Sequence, residues 1–336
     1  MCMTLLKIIG LSVLMVGSLG ALYQYVMTQW DRKKYPPLGK MIDIGSYKIH
    51  MIDSCDDEFK KCVSDPKQPI VIMDAGIGCS TLDWSLVQPE IAKFARVIIY
   101  DRPGYGWSDA SPLPRTTENI VEELRTMLQN AGVHGPYILV GHSFGGLNMQ
   151  LFALKYPDEV AGLVLVDAVP EDVMNIIPEI FIGFKGWIYT RLRGSYVGII
   201  RLINIWNRSF DKNNFRDFAY KNTITYFDTA FQELDAIQVS CNQVKKLDKS
   251  LGDMPLYVIA QGKQLVPTQG PCGVYSQEEV NLINQKWSLL QKDLVQKSLW
   301  SKQFIAEQSN HNIPQEQPAI IIQAVRDMIA RKSKKE

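Results

Sequence analysis

Five short apolar runs constrain this chain more than anything else in it: Ile70–Met73, Arg96–Tyr100, Tyr137–Val140, Leu163–Val166 and Leu256–Ala260. Each is dominated by aliphatic residues with no polar alternation, which is the pattern of strands buried on both faces of a parallel sheet. Segments with helical spacing lie between them. Thr117 is expected to cap a helix that aligns Ile120, Leu124 and Leu128 and stops at Gly132. Leu147, Leu151 and Leu154 mark a second helix, halted by Pro157, and Pro318 can open a last one carrying Ile322, Val325 and Ile329. Such alternation predicts an α/β domain with right-handed crossovers. Ahead of it, Met41–Ile44 and Tyr47–Ile52 flank Gly45-Ser46 like a two-stranded hairpin.

From Glu171 to Lys249 the alternation stops, and a structureless connection of that length does not suit a compact domain. The segment reads as an inserted helical cap. Its first half is rich in aromatic and aliphatic residues, with Lys185, Arg191, Arg193 and Arg201 interspersed. Helices with an apolar face on the core fit it, and so does a lid that touches lipid. The plan is therefore an N-terminal segment (1–34), a first part of the core (41–170), the cap (171–249) and a second part of the core (250–332).

The N-terminal segment carries an uncharged run, Ile8–Met27, long enough to cross a bilayer core. Two readings stay open: an uncleaved anchor, or a signal peptide cleaved near Ser18-Leu19-Gly20, which would make the protein secreted or periplasmic. Lys7 before the run and Arg32, Lys33 and Lys34 after it lean towards a cytoplasmic C-terminal domain. Elsewhere, 36 basic residues against 35 acidic ones give no imbalance that would favour nucleic acid. The six cysteines form no metal-binding spacing, though Cys55 and Cys62 are close enough to pair in an oxidising compartment.

The stretch YILVGHSFGG, Tyr137–Gly146, joins a strand pattern to a helix pattern through G-x-S-x-G. Ser143 is then expected on a sharp strand-to-helix turn, with glycines where side chains would collide and its hydroxyl exposed at the sheet edge. The helix N-terminus puts the Phe144 amide where it can donate to a developing oxyanion. A second donor is expected from the loop after the first parallel strand, DAGIGCS, at Ile77. A serine hydroxyl needs a base. His142 adjoins the nucleophile, and His50 and His134 precede it. His311 alone comes late enough for the order serine, acid, histidine.

On these residues the chain resembles the α/β-hydrolase superfamily, in its serine hydrolase branch. It is similar to bacterial hydrolases carrying YDRPGYGWSD, here Tyr100–Asp109, and GHSFGGLNMQLFALKYPDEVAGLVLVDA, here Gly141–Ala168. The likeness is dense over Ile70–Ala168 and loose around His311. It implies an α/β-hydrolase fold, a mostly parallel sheet with an inserted helical cap, and a YDRPGYGWSD loop beside the site without a proton-transfer role for Asp101 or Asp109. Many relatives carry the acid in a Gly-x-x-Asp turn after the strand at Leu256–Ala260, but here Gly262 is followed by Lys263, Gln264 and Leu265. Others, among them certain lipases and dehalogenases, place it at the end of the strand before the cap, which points to Asp167, with Glu171 or Asp172 as alternatives. The loop after Ala260 is then free to line the pocket through Gln264 or Cys272.

The resulting expectation is a membrane-tethered serine hydrolase with Ser143, His311 and Asp167 as its catalytic set, needing no cofactor and no metal. It would act on a carboxylic ester with an apolar, lipid-like acyl part. An amidase, thioesterase or acyltransferase on the same scaffold, or an inactive tethered binding protein, are the alternatives.

Overall fold

The computed structural model describes residues 2–56, 68–206, 215–247, 249–266 and 275–332. Helix α1 (Cys2–Lys34) precedes an eight-stranded sheet made of β1 (Lys40–Asp43), β2 (Lys48–Asp53), β3 (Ile70–Asp74), β4 (Val97–Tyr100), β5 (Tyr137–His142), β6 (Val160–Val166), β7 (Leu256–Gln261) and β8 (Ser301–Ala306). The strand order is β1-β2-β4-β3-β5-β6-β7-β8. Strands β3 to β8 run parallel, and the β1–β2 hairpin joins them antiparallel through β4. Every residue of β4 and β5 is buried, which is why these strands read as unbroken apolar runs.

The remaining helices are α2 (Gln88–Ile91), α3 (Thr117–Asn130), α4 (Phe144–Lys155), α5 (Val173–Ile176), α6 (Pro178–Ser195), α7 (Ile199–Trp206), α8 (Phe215–Lys221), α9 (Ile224–Asp235), α10 (Ile237–Leu247), α11 (Gln277–Val295), α12 (Ile313–Glu316) and α13 (Pro318–Lys332). The period of two along each strand divides the core between the two faces of the sheet. Val71, Met73, Val140 and Val164 pack with Ile91 of α2 and Val325 and Met328 of α13. Ile72, Leu139 and Leu163 pack on the other face with Leu124 of α3, Leu147 of α4 and Leu290 of α11. Each such fully buried aliphatic side chain contributes roughly 1.5–3 kcal/mol. Helices α5 to α10 lie between β6 and β7 in sequence; α6 packs on α9, α10 returns onto α3 and α4, and α1 packs on α8.

One sequence expectation is corrected, and one helix was missed. Thr117 does not cap α3: the N-cap is Thr116, and the Thr117 amide donates to Ser240 Oγ of α10 at 3.0 Å, so the donor is satisfied by a distant helix instead of a local side chain. Helix α11 was not anticipated, although Ser276 and Glu279 form a reciprocal capping box and Val280, Ile283, Trp287, Leu290 and Leu294 share its buried face. Cys55 is disulfide-bonded. Cys62 and Cys272 lie outside the described residues.

Asp101, just past β4, ties three segments together. It accepts from His50 Nδ1 of β2 at 2.7 Å, from the Thr81 amide at 2.7 Å and from the Trp107 amide at 3.2 Å. Burial alone would raise its carboxyl, but the His50 imidazole and the two amides outweigh burial and hold it below the usual carboxylate range. A depressed carboxyl gives stability that is complete above the unfolded value, about 4, and is lost as pH falls through the lower folded value. Asp101→Asn should therefore cost roughly 1–3 kcal/mol at neutral pH in denaturant unfolding, and the gap to the parent protein should narrow below about pH 4.

Candidate active site

At the C-terminal edge of the sheet, β5 ends in a turn so tight that Ser143 has φ 55° and ψ −123°. A non-glycine residue with positive φ is strained and must be held by its surroundings. The Ser143 amide donates to Val166 O, and the Ser143 carbonyl accepts from the amides of Gly146 and Val169. The glycines are required by close backbone approach: a Cβ at Gly141 would sit 2.5 Å from the Gly146 Cα, and one at Gly145 would sit 2.4 Å from the Asp74 carbonyl oxygen. The turn leaves Ser143 partly accessible while its neighbours are buried.

His311, between β8 and α12, meets this serine. Its Nε2 lies 2.9 Å from Ser143 Oγ and its Nδ1 lies 2.6 Å from Asp167 Oδ2. With Nδ1–H donating to the carboxylate, Nε2 is the acceptor for the serine hydroxyl, so the imidazole can take that proton and keep its charge facing Asp167. Asp167 follows β6 at φ 41°, is fully buried, and its other oxygen accepts from Trp287 Nε1 at 3.0 Å and from the Gln261 amide at 3.2 Å. Glu171 and Asp172 are engaged elsewhere, with Lys297 and Lys245. The loop after β7 has a different use here: the Gly262 amide donates to Ala306 O and Ser309 O, and the Lys263 amide to Ser309 O, so this loop supports the turn that leads to His311. A Cβ at Gly262 would approach the Glu307 Cα to 2.5 Å. Gln264 is exposed.

His142, dismissed as a base, is a support. Its Nε2–H donates to the His311 carbonyl at 2.8 Å, and the two rings lie 4.9 Å apart. Burial, and then the neighbouring His311, push it down to about 3, so it is an uncharged donor at neutral pH.

Phe144 opens α4, where first-turn amides lack intrahelical partners. Ile77 is half-buried in the loop after β3. That loop lies against Ser143, because a Cβ on Gly76 would come 3.2 Å from Ser143 Cβ. Sequence reading missed what holds it. Arg102, from the YDRPGYGWSD stretch, donates to Ala75 O at 2.5 Å, Gly76 O at 2.8 Å and Asp74 Oδ1 at 2.7 Å, and pairs through Nε with Glu233 of α9 at 2.8 Å. Tyr105 adds a hydroxyl donor to Glu233 at 2.8 Å. Among the described residues no group of three or more His, Cys, Asp or Glu is placed to hold a metal.

Residues 68–190 match the family described as alpha/beta hydrolase fold. The chain has the α/β-hydrolase fold. Among its relatives is the uncharacterized protein YqjL of Bacillus subtilis, 26% identical over 260 residues, covering 77% of this chain and 82% of that protein. A vacuolar membrane protein of Saccharomyces cerevisiae is 32% identical over 137 residues, covering 38% of this chain and 21% of that one. Among solved structures, a thermophilic esterase from Thermogutta terrifontis superposes with TM-score 0.57 at 19% identity, over 87% of this chain and 97% of the other. The epoxide hydrolase CorEH gives TM-score 0.60 at 17% identity, over 87% and 97%. At these identities the structural likeness speaks for the α/β-hydrolase fold and not for a substrate.

The Arg102 cluster is fully buried and hydrogen-bonded beside the site. Glu233→Ala should cost about 3 kcal/mol in denaturant unfolding, because Asp74 still faces the buried guanidinium but Arg102 Nε and the Tyr105 hydroxyl lose their acceptor; a cost below about 1 kcal/mol would mean that water reaches Arg102.

Proposed function

We propose that the protein is a serine ester hydrolase that works through an acyl-enzyme. The observation that carries this reading is the continuous hydrogen-bonded series in which Ser143 Oγ stands 2.9 Å from His311 Nε2, and His311 Nδ1 stands 2.6 Å from Asp167. In the proposed reaction His311 takes the Ser143 proton as Oγ attacks the ester carbonyl. The amides of Phe144 and Ile77 hold the oxyanion. Collapse expels the alcohol, which receives the proton from His311, and a water activated by the same imidazole then releases the acid and restores Ser143. Asp167 keeps His311 in the required tautomer throughout and stabilises the imidazolium.

An apolar acyl part is favoured by the apolar N-terminal helix, Met3–Lys34, which is long enough to cross a membrane and would hold the site near lipid. Residues 171–249 act in this reading as the cap over the acyl site. The disulfide at Cys55 favours an oxidising side of the membrane, against the lean of the basic residues that follow the helix.

A fluorophosphonate probe should label the intact protein and fail to label Ser143→Ala. On p-nitrophenyl esters of increasing chain length, Ser143→Ala should lower kcat by roughly 10⁶-fold and Asp167→Asn by roughly 10⁴-fold, with the fold retained. Absence of labelling in folded protein would leave a hydrolase-like binding protein as the better reading.

A further inference from the structure

Helix α7 is amphipathic the wrong way round for water. Its polar residues face inward: Arg201 is 1% exposed, and Asn204 is half-buried with its amide donating to Asn222 Oδ1 at 2.7 Å. Apart from Ile200, which is buried, its apolar residues face outward, with Leu202 at 52% and Trp206 at 88% exposure and Ile199, Ile203 and Ile205 exposed beside them. A helix lying on a soluble protein puts these two faces the other way.

The same inversion continues across α1, which is docked to the inserted helices and is not a loose tether. Gln24 and Asp31 turn towards the protein, whereas Ser12, Ser18 and Gln29 are exposed. Gln24 donates through Nε2 to Asn222 O, and Asp31 pairs with Arg201 at 2.5 Å in a buried contact. Beside Gln24 its exposed residues include Leu22, Tyr25 and Val26, and ahead of Gly17 the helix is exposed on every side, Leu11, Val13, Leu14 and Val16 among them. Backbones touch where the elements meet: a Cβ on Gly20 would lie 2.3 Å from Val197 O, and one on Gly198 would lie 3.0 Å from the Tyr23 ring. Below this contact Trp107 Nε1 donates to Tyr35 O at 2.7 Å, and Arg216 donates to Pro36 O, so the segment leaving α1 is fastened as well.

Depth follows from helix geometry. From Gly20, level with Val197, to Met27, where the uncharged run ends, α1 rises about 10 Å. Asp31, which pairs with Arg201 of α7, lies about 6 Å beyond Met27, so a bilayer surface near Met27 falls between the Val197 and Arg201 contacts, at the level of α7, as an interfacial helix requires. Arg32, Lys33 and Lys34 end α1 and are exposed, where they can meet anionic headgroups.

We propose that the outward face of α7 is inserted in the lipid interface of the bilayer that α1 enters, so that the inserted helices are a second membrane contact fixed in orientation by the first. Neither the proposal nor its test depends on chemistry at Ser143, so it stands or falls apart from the hydrolase reading.

The unsubstituted full chain would be reconstituted in nanodiscs of phosphatidylcholine with a minor fraction of phosphatidylserine that carries an acyl-chain diazirine. Photolabelling is expected on peptides from α1 and from residues 199–206. Labelling of α1 without 199–206 would overturn the proposal. The second measurement places a nitroxide on p-acetylphenylalanine at position 202 or 206, with position 299 as reference. Leu299 is also exposed and apolar but lies ahead of β8, at the opposite sheet edge. The ratio of collisions with oxygen to collisions with a water-soluble nickel chelate should be several-fold higher at 202 and 206 than at 299. Equal ratios would put α7 in water. Spin–spin broadening relieved by dilution with unlabelled chain would assign the face to a second copy, and either outcome refutes the bilayer contact.

Discussion

A guanidinium removed from water must find partners for its donors or destabilise whatever holds it, and the fold is arranged around this demand at Arg102. Its side chain is 1% exposed, and it is met by Asp74 at the end of β3, by two carbonyls of the following loop and by Glu233 from α9. Asp74 in turn accepts from Asn148 of α4, the helix that begins at the Ser143 turn. One charge therefore couples the loop beside Ser143, the helix after Ser143 and the inserted helices. None of them can shift alone without unpairing a buried group, which costs more than the paired arrangement contributes. Burial alone would lower Arg102, but Glu233 and Asp74 hold it well above its ordinary value, and burial together with Glu233 keeps Tyr105 protonated as a donor.

What was legible in the sequence was what depends on neighbours along the chain. Strands buried on both faces need unbroken apolar runs, so β3 to β7 could be read within a few residues of their ends. The turn at Ser143 needs glycines because three backbone segments converge there: Gly146 faces Ala168 so closely that an added Cβ would come within 2.2 Å of its methyl group. Glycine at such spacing is a local signal, and so is the order in which Ser143 and His311 occur.

Partners distant in sequence left no such trace. Arg102 and Glu233 are separated by 131 residues, and Asp31 and Arg201 by 170. Each looks locally like an ordinary charge on a helix or in a loop. Thr117 was misread for the same reason, since the group that satisfies its amide is Ser240 on another helix. The uncharged run in α1 was legible as a span. Its docking was not, because Gln24 and Asp31 reveal their role only when Asn222 and Arg201 are beside them.

The vacant acid position after β7 shows how one geometric demand can be met by different parts of a sheet edge. His311 Nδ1 needs a buried carboxylate whose second oxygen is occupied, so that it cannot rotate away. At the end of β6 Asp167 meets this with Trp287 and Gln261 on that oxygen, and a strained φ of 41° aims it. An acid after β7 would compete for the same imidazole nitrogen and add a second negative charge in a buried space. With the acid absent, Gly262 and Lys263 offer their amides to the turn before His311, and Gly262 lets that turn approach within backbone contact. With the carboxylate at the end of β6, the loop after β7 is left to position His311.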